Sequence, residues 1–110
     1  MGVGYMSEPD YRDTLDGLVV AFCRDYFFRK EAIKESACTR RTLMEYEYIN
    51  RRIAEAAHEI VGEDFEAYVK EIGYCVGYAG SDVYGISETT YKKLKKEVKV
   101  NIAKKLHLLD

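Results

Sequence analysis

The lysines near the C-terminal end of the sequence are the residues that most clearly suggest a chemical role. Seven lysines stand between Tyr91 and His107, against the single acid Glu97. Ser87 precedes them as a candidate helix cap, which would present backbone N–H groups at the helix start to a phosphate. Thr89 is short and polar, and such side chains can approach base edges in the major groove of DNA. The candidate nucleic-acid contacts are Ser87, Thr89, Lys92, Lys93, Lys96, Lys99 and Lys104.

An acidic middle of the chain balances these lysines. Residues 45–71 contain eight acids and three basic residues, a net charge of −5, whereas residues 91–107 have a net charge of +6. The whole chain is close to neutral at −2, which by itself argues against a nucleic-acid partner. Two interpretations follow from the uneven distribution. Either the basic helix packs beside the acidic one, within the domain or across a dimer, or the lysines face a polyanion.

Residues suited to catalysis or metal binding do not form a convincing set. Glu55 and His58 share a helix face, as in di-iron bundles, but those bundles repeat the pattern on a second helix and His107 has no acid three residues before it. No metal or redox spacing joins the cysteines, Cys23, Cys38 and Cys75. The sequence therefore predicts a protein that is not an enzyme, with no catalytic residues, no metal site and no small-molecule cofactor.

Composition also bears on the cellular location. An odd number of scattered thiols fits a reducing compartment better than a disulfide framework. The stretch Met1–Pro9 lacks the basic start and apolar run of a secretory signal. The longest uncharged apolar stretch, Gly17–Cys23, is far shorter than a bilayer span. We expect a cytoplasmic protein that does not contact a membrane.

Apolar residues recur at helical spacing along most of the 110 residues, and a single proline disfavours a turn-rich β fold. The pattern predicts one all-α domain spanning residues 1–110, a bundle of about four helices with long first and last helices. Residues 1–6 form a flexible N-terminus in this prediction. The predicted elements are a helix at 8–35, a helix from Thr39 or Thr42 to Gly62, a shorter helix at 63–72, a glycine- and tyrosine-rich connector at 73–86, and a last helix capped by Ser87.

Two of these helices have apolar residues away from their main stripe. In the first helix the extra residues are Val20, Phe27 and Phe28, so we expect a second packing surface and a homodimer formed through this helix. In the last helix Val100 is the apolar exception on the predicted solvent side, whose other residues are Thr89, Lys92, Lys93, Lys96, Lys104 and His107.

Residues 81–106 carry a resemblance to a known family. The run Gly-Ile-Ser-Glu-Thr-Thr-Tyr at 85–91, followed by lysines, resembles the turn and recognition helix of a helix-turn-helix. It is most similar to the C-terminal, sigma-factor-like region of small phage-encoded transcriptional regulators of Gram-positive bacteria. The family has a helix of about two turns before the turn, where residues 80–85 have room for barely one. The resemblance implies binding to double-stranded DNA.

We therefore expect a DNA-binding or transcription-regulatory accessory protein of phage or mobile-element origin, which uses its basic C-terminal helix. The alternative belongs to another class of protein. It is a non-enzymatic helical interaction or structural module, whose basic helix docks on an acidic helix.

Overall fold

The described part of the chain, residues 13–81, 83 and 85–109 of a computed structural model, consists of helices and turns without a strand. This confirms the all-α class. The helices are α1 (Asp13–Arg24), α2 (Tyr26–Glu35), α3 (Arg40–Val61), α4 (Phe65–Tyr74) and α5 (Glu88–Lys105). The predicted N-terminus at 1–6 and helix start at residue 8 lie outside the described residues.

The prediction of one long first helix is wrong, because the helix breaks at Asp25. The buried guanidinium of Arg29 donates from Nη2 to the carbonyl of Phe22 (2.5 Å) and from Nε to Oδ1 of Asn50 on α3 (2.6 Å). Asn50 in turn donates to the carbonyl of Tyr26 (3.0 Å). These buried hydrogen bonds bind the broken end of α1 and the start of α2 to α3. The predicted first helix is thus divided into α1 and α2, and α3 with 22 residues is the longest helix among the described residues.

The ends of α3 follow the sequence signals. The Thr39 hydroxyl accepts a hydrogen bond from the Thr42 amide, which caps the first turn. Gly62 ends the helix with a φ of +64°, a backbone conformation that favours glycine. A 3-10 turn at Gly62–Asp64 then leads into α4.

Gly73 belongs to α4 and not to the connector in which the sequence pattern placed it. The residue is buried against α1, and a Cβ atom there would lie 2.7 Å from the Cα of Arg24. The missing side chain therefore allows α1 and α4 to approach closely.

The connector between α4 and α5 is shorter than predicted and contains one 3-10 turn at Tyr78–Gly80 among its described residues. The Tyr78 hydroxyl donates to the carbonyl of Ile86 (2.5 Å), and its ring packs edge-on against Tyr91 (centroids 5.4 Å apart). Tyr78 therefore holds the connector against the start of α5.

The last helix begins as predicted, because the Ser87 hydroxyl accepts from the amide of Thr90. Its predicted inward residues Tyr91, Val98 and Ile102 are buried in the core, together with Ile53 of α3 and Ile72 of α4. None of the helices in the described ranges is long and apolar enough to cross a membrane.

Candidate nucleic-acid interface

The lysines of α5 divide into two groups according to the side of the helix they occupy. We call Lys95, Lys99 and Lys105 the inner lysines, because their side chains are only 24, 19 and 29% exposed. Each contacts a carboxylate on a different helix. The pairs are Lys95 with Glu71 of α4 (2.5 Å), Lys99 with Asp16 of α1 (3.0 Å) and Lys105 with Glu59 of α3 (2.7 Å).

The Lys95–Glu71 pair is the most buried of the three. The Glu71 carboxylate also accepts a hydrogen bond from the amide of Gly77 (2.6 Å), so it joins α4, the connector and α5. The stacked rings of Tyr68 and Tyr91 lie in the same region, 5.1 Å apart. Burial raises the pKa of the Tyr91 hydroxyl, and the Glu71 charge raises the pKa further. Neither tyrosine hydroxyl makes a hydrogen bond of normal geometry within the described part of the chain, although that of Tyr91 lies near Glu71 and Ser81.

Polar contacts also hold α5 to the C-terminal half of α3. The side-chain amide of Asn101 donates to the carbonyl of Ala56 (2.8 Å) and to Oε1 of Glu59 (3.0 Å). Hydrogen bonds from Lys105 and Asn101 hold the pKa of Glu59 below its usual value of 4.5. These contacts fix how far α5 is rotated about its axis, which decides which lysines face outward.

The outer lysines are Lys92, Lys93, Lys96 and Lys104, and all four are exposed. Ser87 and Thr89 are exposed at the start of the same helix. Of the seven predicted contacts, six therefore share the outer side, whereas Lys99 is mostly covered by its pair with Asp16. Lys92 also lies 3.1 Å from Glu88, one turn before it.

A shallow groove of about 400 Å³ separates the outer lysines from the end of α3. Lys93, Lys96 and Lys104 border it, and Ile60 and Val100 contribute apolar surface. This accounts for the unexpected position of Val100. The residue is buried although it lies among the lysines, because the neighbouring helix and side chains cover it.

The surroundings of α5 differ from a standard helix-turn-helix in one respect. Such a motif joins its two helices by a turn of three or four residues. Here residues 75–87 separate α4 from α5, with a single 3-10 turn among those described. The capped basic helix is present, while the helix-turn-helix resemblance stays a prediction.

Other candidate chemistry is not assembled in the described residues. They contain no group of three or more histidine, cysteine, aspartate or glutamate side chains that could hold a metal ion. Glu55 lies 3.3 Å from Arg52, and the His58 ring packs near Phe65. Cys23 is buried, and burial raises its pKa to about 12, which keeps the thiol protonated and unreactive at neutral pH.

Sequence reasoning missed the buried polar residues that position α5. Glu71 lies beside Ile72 and three residues after Tyr68, so it falls on the core side of α4. An acid at such a position was a signal that a basic partner covers it.

Comparisons of this chain with protein-family models, with curated proteins and with solved structures found no match. The arrangement of residues on α5 therefore carries the functional argument.

Proposed function

We propose that this chain is a DNA-binding, transcription-regulatory accessory protein of phage or mobile-element origin, acting in the cytoplasm. In this proposal the outer side of α5 contacts double-stranded DNA. The observation that supports it is the division of the lysines. Three are used inside the domain, and the four outer lysines form one exposed side, next to a helix start capped by Ser87.

The chemistry of this side favours contacts with phosphates over reading of bases. Lysine is a compact point charge and lacks the two-pronged geometry with which arginine recognises guanine. Each phosphate neutralised by a lysine releases counterions, so affinity should fall steeply with salt. Ser87 and Thr89 are the exposed groups short enough to approach base edges. The exposed acids Glu88 and Glu97 reduce the positive charge of this side. We therefore expect micromolar affinity for DNA.

Fluorescence anisotropy of a mixed-sequence duplex at two salt concentrations tests this function. We expect salt-sensitive binding, and Lys93→Glu should weaken it for every sequence and reduce the salt slope by about one phosphate. The double variant K93Q/K96Q should weaken binding further. A matched control is K34Q/K70Q, which removes the same charge from two exposed lysines on α2 and α4. Unchanged binding by Lys93→Glu would remove α5 from the proposal.

Homodimer formation is part of the proposal. Among the off-stripe residues of the first helix, Val20 and Phe27 pack against the core, whereas Phe28 is exposed on α2. Leu18 is exposed on α1. A second copy would cover such residues, so sedimentation velocity should show a dimer that Phe28→Ser weakens. A wild-type monomer across the accessible concentrations would contradict it.

A second candidate function is a helical interaction or structural module that does not bind DNA. The three ion pairs of the inner lysines favour it, because they dock the basic helix on acids of α1, α3 and α4. On this alternative, salt lowers the melting temperature and duplex DNA leaves it unchanged. The salt effect should shrink in K99Q/K105Q and persist in K92Q/K96Q, which removes the same charge from the outer side.

A further inference from the structure

The N-terminal half of α3 carries a second positively charged surface, of different composition. We call it the arginine face. Met44 and Tyr48 stand at its centre, 59 and 41% exposed, with arginines at both ends. Its residues are Arg40, Arg41, Met44, Tyr48, Arg51 and Arg52. The three- and four-residue steps between them place these side chains on one side of the helix.

Contacts along α3 hold part of this face in position. The guanidinium carbons of Arg51 and Arg52 lie 5.9 and 5.5 Å from the centre of the Tyr48 ring. Arg52 also contacts Glu55 at 3.3 Å, which fixes the end of its side chain. Less side-chain freedom is therefore lost when a partner binds, and this favours affinity.

The composition of the arginine face points to a protein and not to a nucleic acid. Tyrosine, methionine and arginine are enriched in the cores of protein–protein interfaces, whereas lysine is depleted there. The outer side of α5 has the opposite composition, with four lysines and no exposed aromatic ring among its described residues. The apolar side chain of Met44 at the centre also gives no favourable contact to a phosphodiester backbone.

The charge pattern excludes a second copy of the same face as the partner. A two-fold dimer through one helix pairs the helices parallel or antiparallel, and either arrangement places arginines of one copy against arginines of the other. Like charges placed together disfavour such a dimer. The exposed acids Glu45, Glu47 and Glu55 lie on or beside the face, and the four arginines leave it with a net charge of +1.

We propose that the arginine face docks an acidic amphipathic helix of another protein. Apolar side chains of that helix pack on Met44 and Tyr48, and carboxylates at both ends contact the arginines in two-pronged pairs. Arg41 and Arg51 are ten residues apart on α3, which corresponds to about 15 Å along the axis. The partner therefore carries its acidic groups two to three helical turns apart, on either side of an apolar centre.

Fluorescence anisotropy of a labelled helical peptide tests the proposal. The probe is a peptide of about 18 residues with a central leucine stripe, flanked on the same face by glutamates about 15 Å apart. The full chain should bind it, and R41Q/R51Q or Met44→Ser should weaken binding at least tenfold. The matched control K34Q/K70Q, which alters two exposed lysines on α2 and α4, should leave binding unchanged. Circular dichroism confirms that each variant is folded.

Three results would overturn the proposal. The first is no binding of the probe, or equal binding of a peptide in which lysines replace the glutamates. The second is an equal loss of peptide binding in K93Q/K96Q, which would show general attraction to positive charge. The third is a loss of duplex-DNA affinity in R41Q/R51Q as large as that in K93Q/K96Q, which would make the arginine face a nucleic-acid surface.

Discussion

The inner and outer lysines of α5 have the same side chain on the same helix, yet their surroundings give them different roles. An inner lysine such as Lys95 contacts a carboxylate of another helix and is largely removed from water. An outer lysine such as Lys93 lies in water beside a shallow groove. The charge of an inner lysine is compensated by another helix of the domain, whereas an outer lysine such as Lys93 faces the solvent. Helical spacing already assigns Lys92, Lys93, Lys96 and Lys104 to the solvent side of α5, and all four are exposed in the structure. The carboxylates that cover the inner lysines are distant in sequence, so spacing along α5 does not identify them.

The sharpest test of this contrast is Glu71→Ala, which removes the carboxylate beneath Lys95. We expect a loss of about 3 kcal/mol in the free energy of unfolding, because a buried ammonium loses its counter-charge and the Gly77 amide loses its acceptor. Urea denaturation measures this loss in the free energy of unfolding. Glu88→Ala, which breaks the exposed pair with Lys92, should cost less than about 1 kcal/mol. Equal losses in the two variants would show that burial adds nothing to the inner pair.

A smaller effect is expected from Gly73→Ala, which pushes apart the two helices that supply inner acids. Asp16 lies on α1 and Glu71 on α4, and an added Cβ would clash with the backbone of Arg24. Such overpacking should lower the free energy of unfolding by about 2 kcal/mol. The control is Gly17→Ala, where no atom lies within 4 Å and a helical glycine is replaced. Thermal unfolding should show a gain of about 0.5–1 kcal/mol for the control. Equal losses of stability in Gly73→Ala and Gly17→Ala would contradict the close contact between α1 and α4.

The smallest of these effects concerns Tyr91, whose buried ring lies beside the Lys95–Glu71 pair. Tyr91→Phe should change the free energy of unfolding at pH 7 by less than about 0.5 kcal/mol, because the hydroxyl it removes makes no hydrogen bond of normal geometry in the described residues. Tyr26→Phe should cost more, since the Tyr26 hydroxyl donates to Glu66 (3.2 Å).

Alkaline pH should then separate Tyr91→Phe from the wild type. The folded chain raises the pKa of Tyr91 above its usual value of 10.0, so the stabilising contribution is complete below pH 10 and is lost as the pH rises through the folded pKa. Above pH 10 the wild type should therefore lose more stability than the variant, as measured by urea denaturation at each pH. Lysine deprotonation affects both proteins alike and cancels in the difference. Identical alkaline profiles would show that Tyr91 does not titrate with unfolding.

Most helix positions could be predicted from the sequence, because the residues that begin and end a helix act within one turn of it. Thr39 and Ser87 cap helices through their own first turns, and Gly62 ends α3 with a positive φ. The interruption between α1 and α2 at Asp25 could not be predicted from the sequence. Val19, Cys23 and Tyr26 all face the core, so the apolar period continues across the break. The contacts that hold it come from Asn50, which is distant in sequence.

The sequence by itself determined an all-α chain, a capped basic last helix and a lysine-rich candidate surface, since each depends on spacing and neighbouring residues. DNA binding, the dimer and the absence of catalysis stay predictions. Helical spacing also predicted the solvent side of the last helix, and only the tertiary structure decided which acids cover the remaining lysines. Lys99 was predicted among the DNA contacts, but the fold covers it with Asp16. The physical reason is that the acids that pair with the inner lysines come from α1, α3 and α4, and only the packing of these helices brings them to α5.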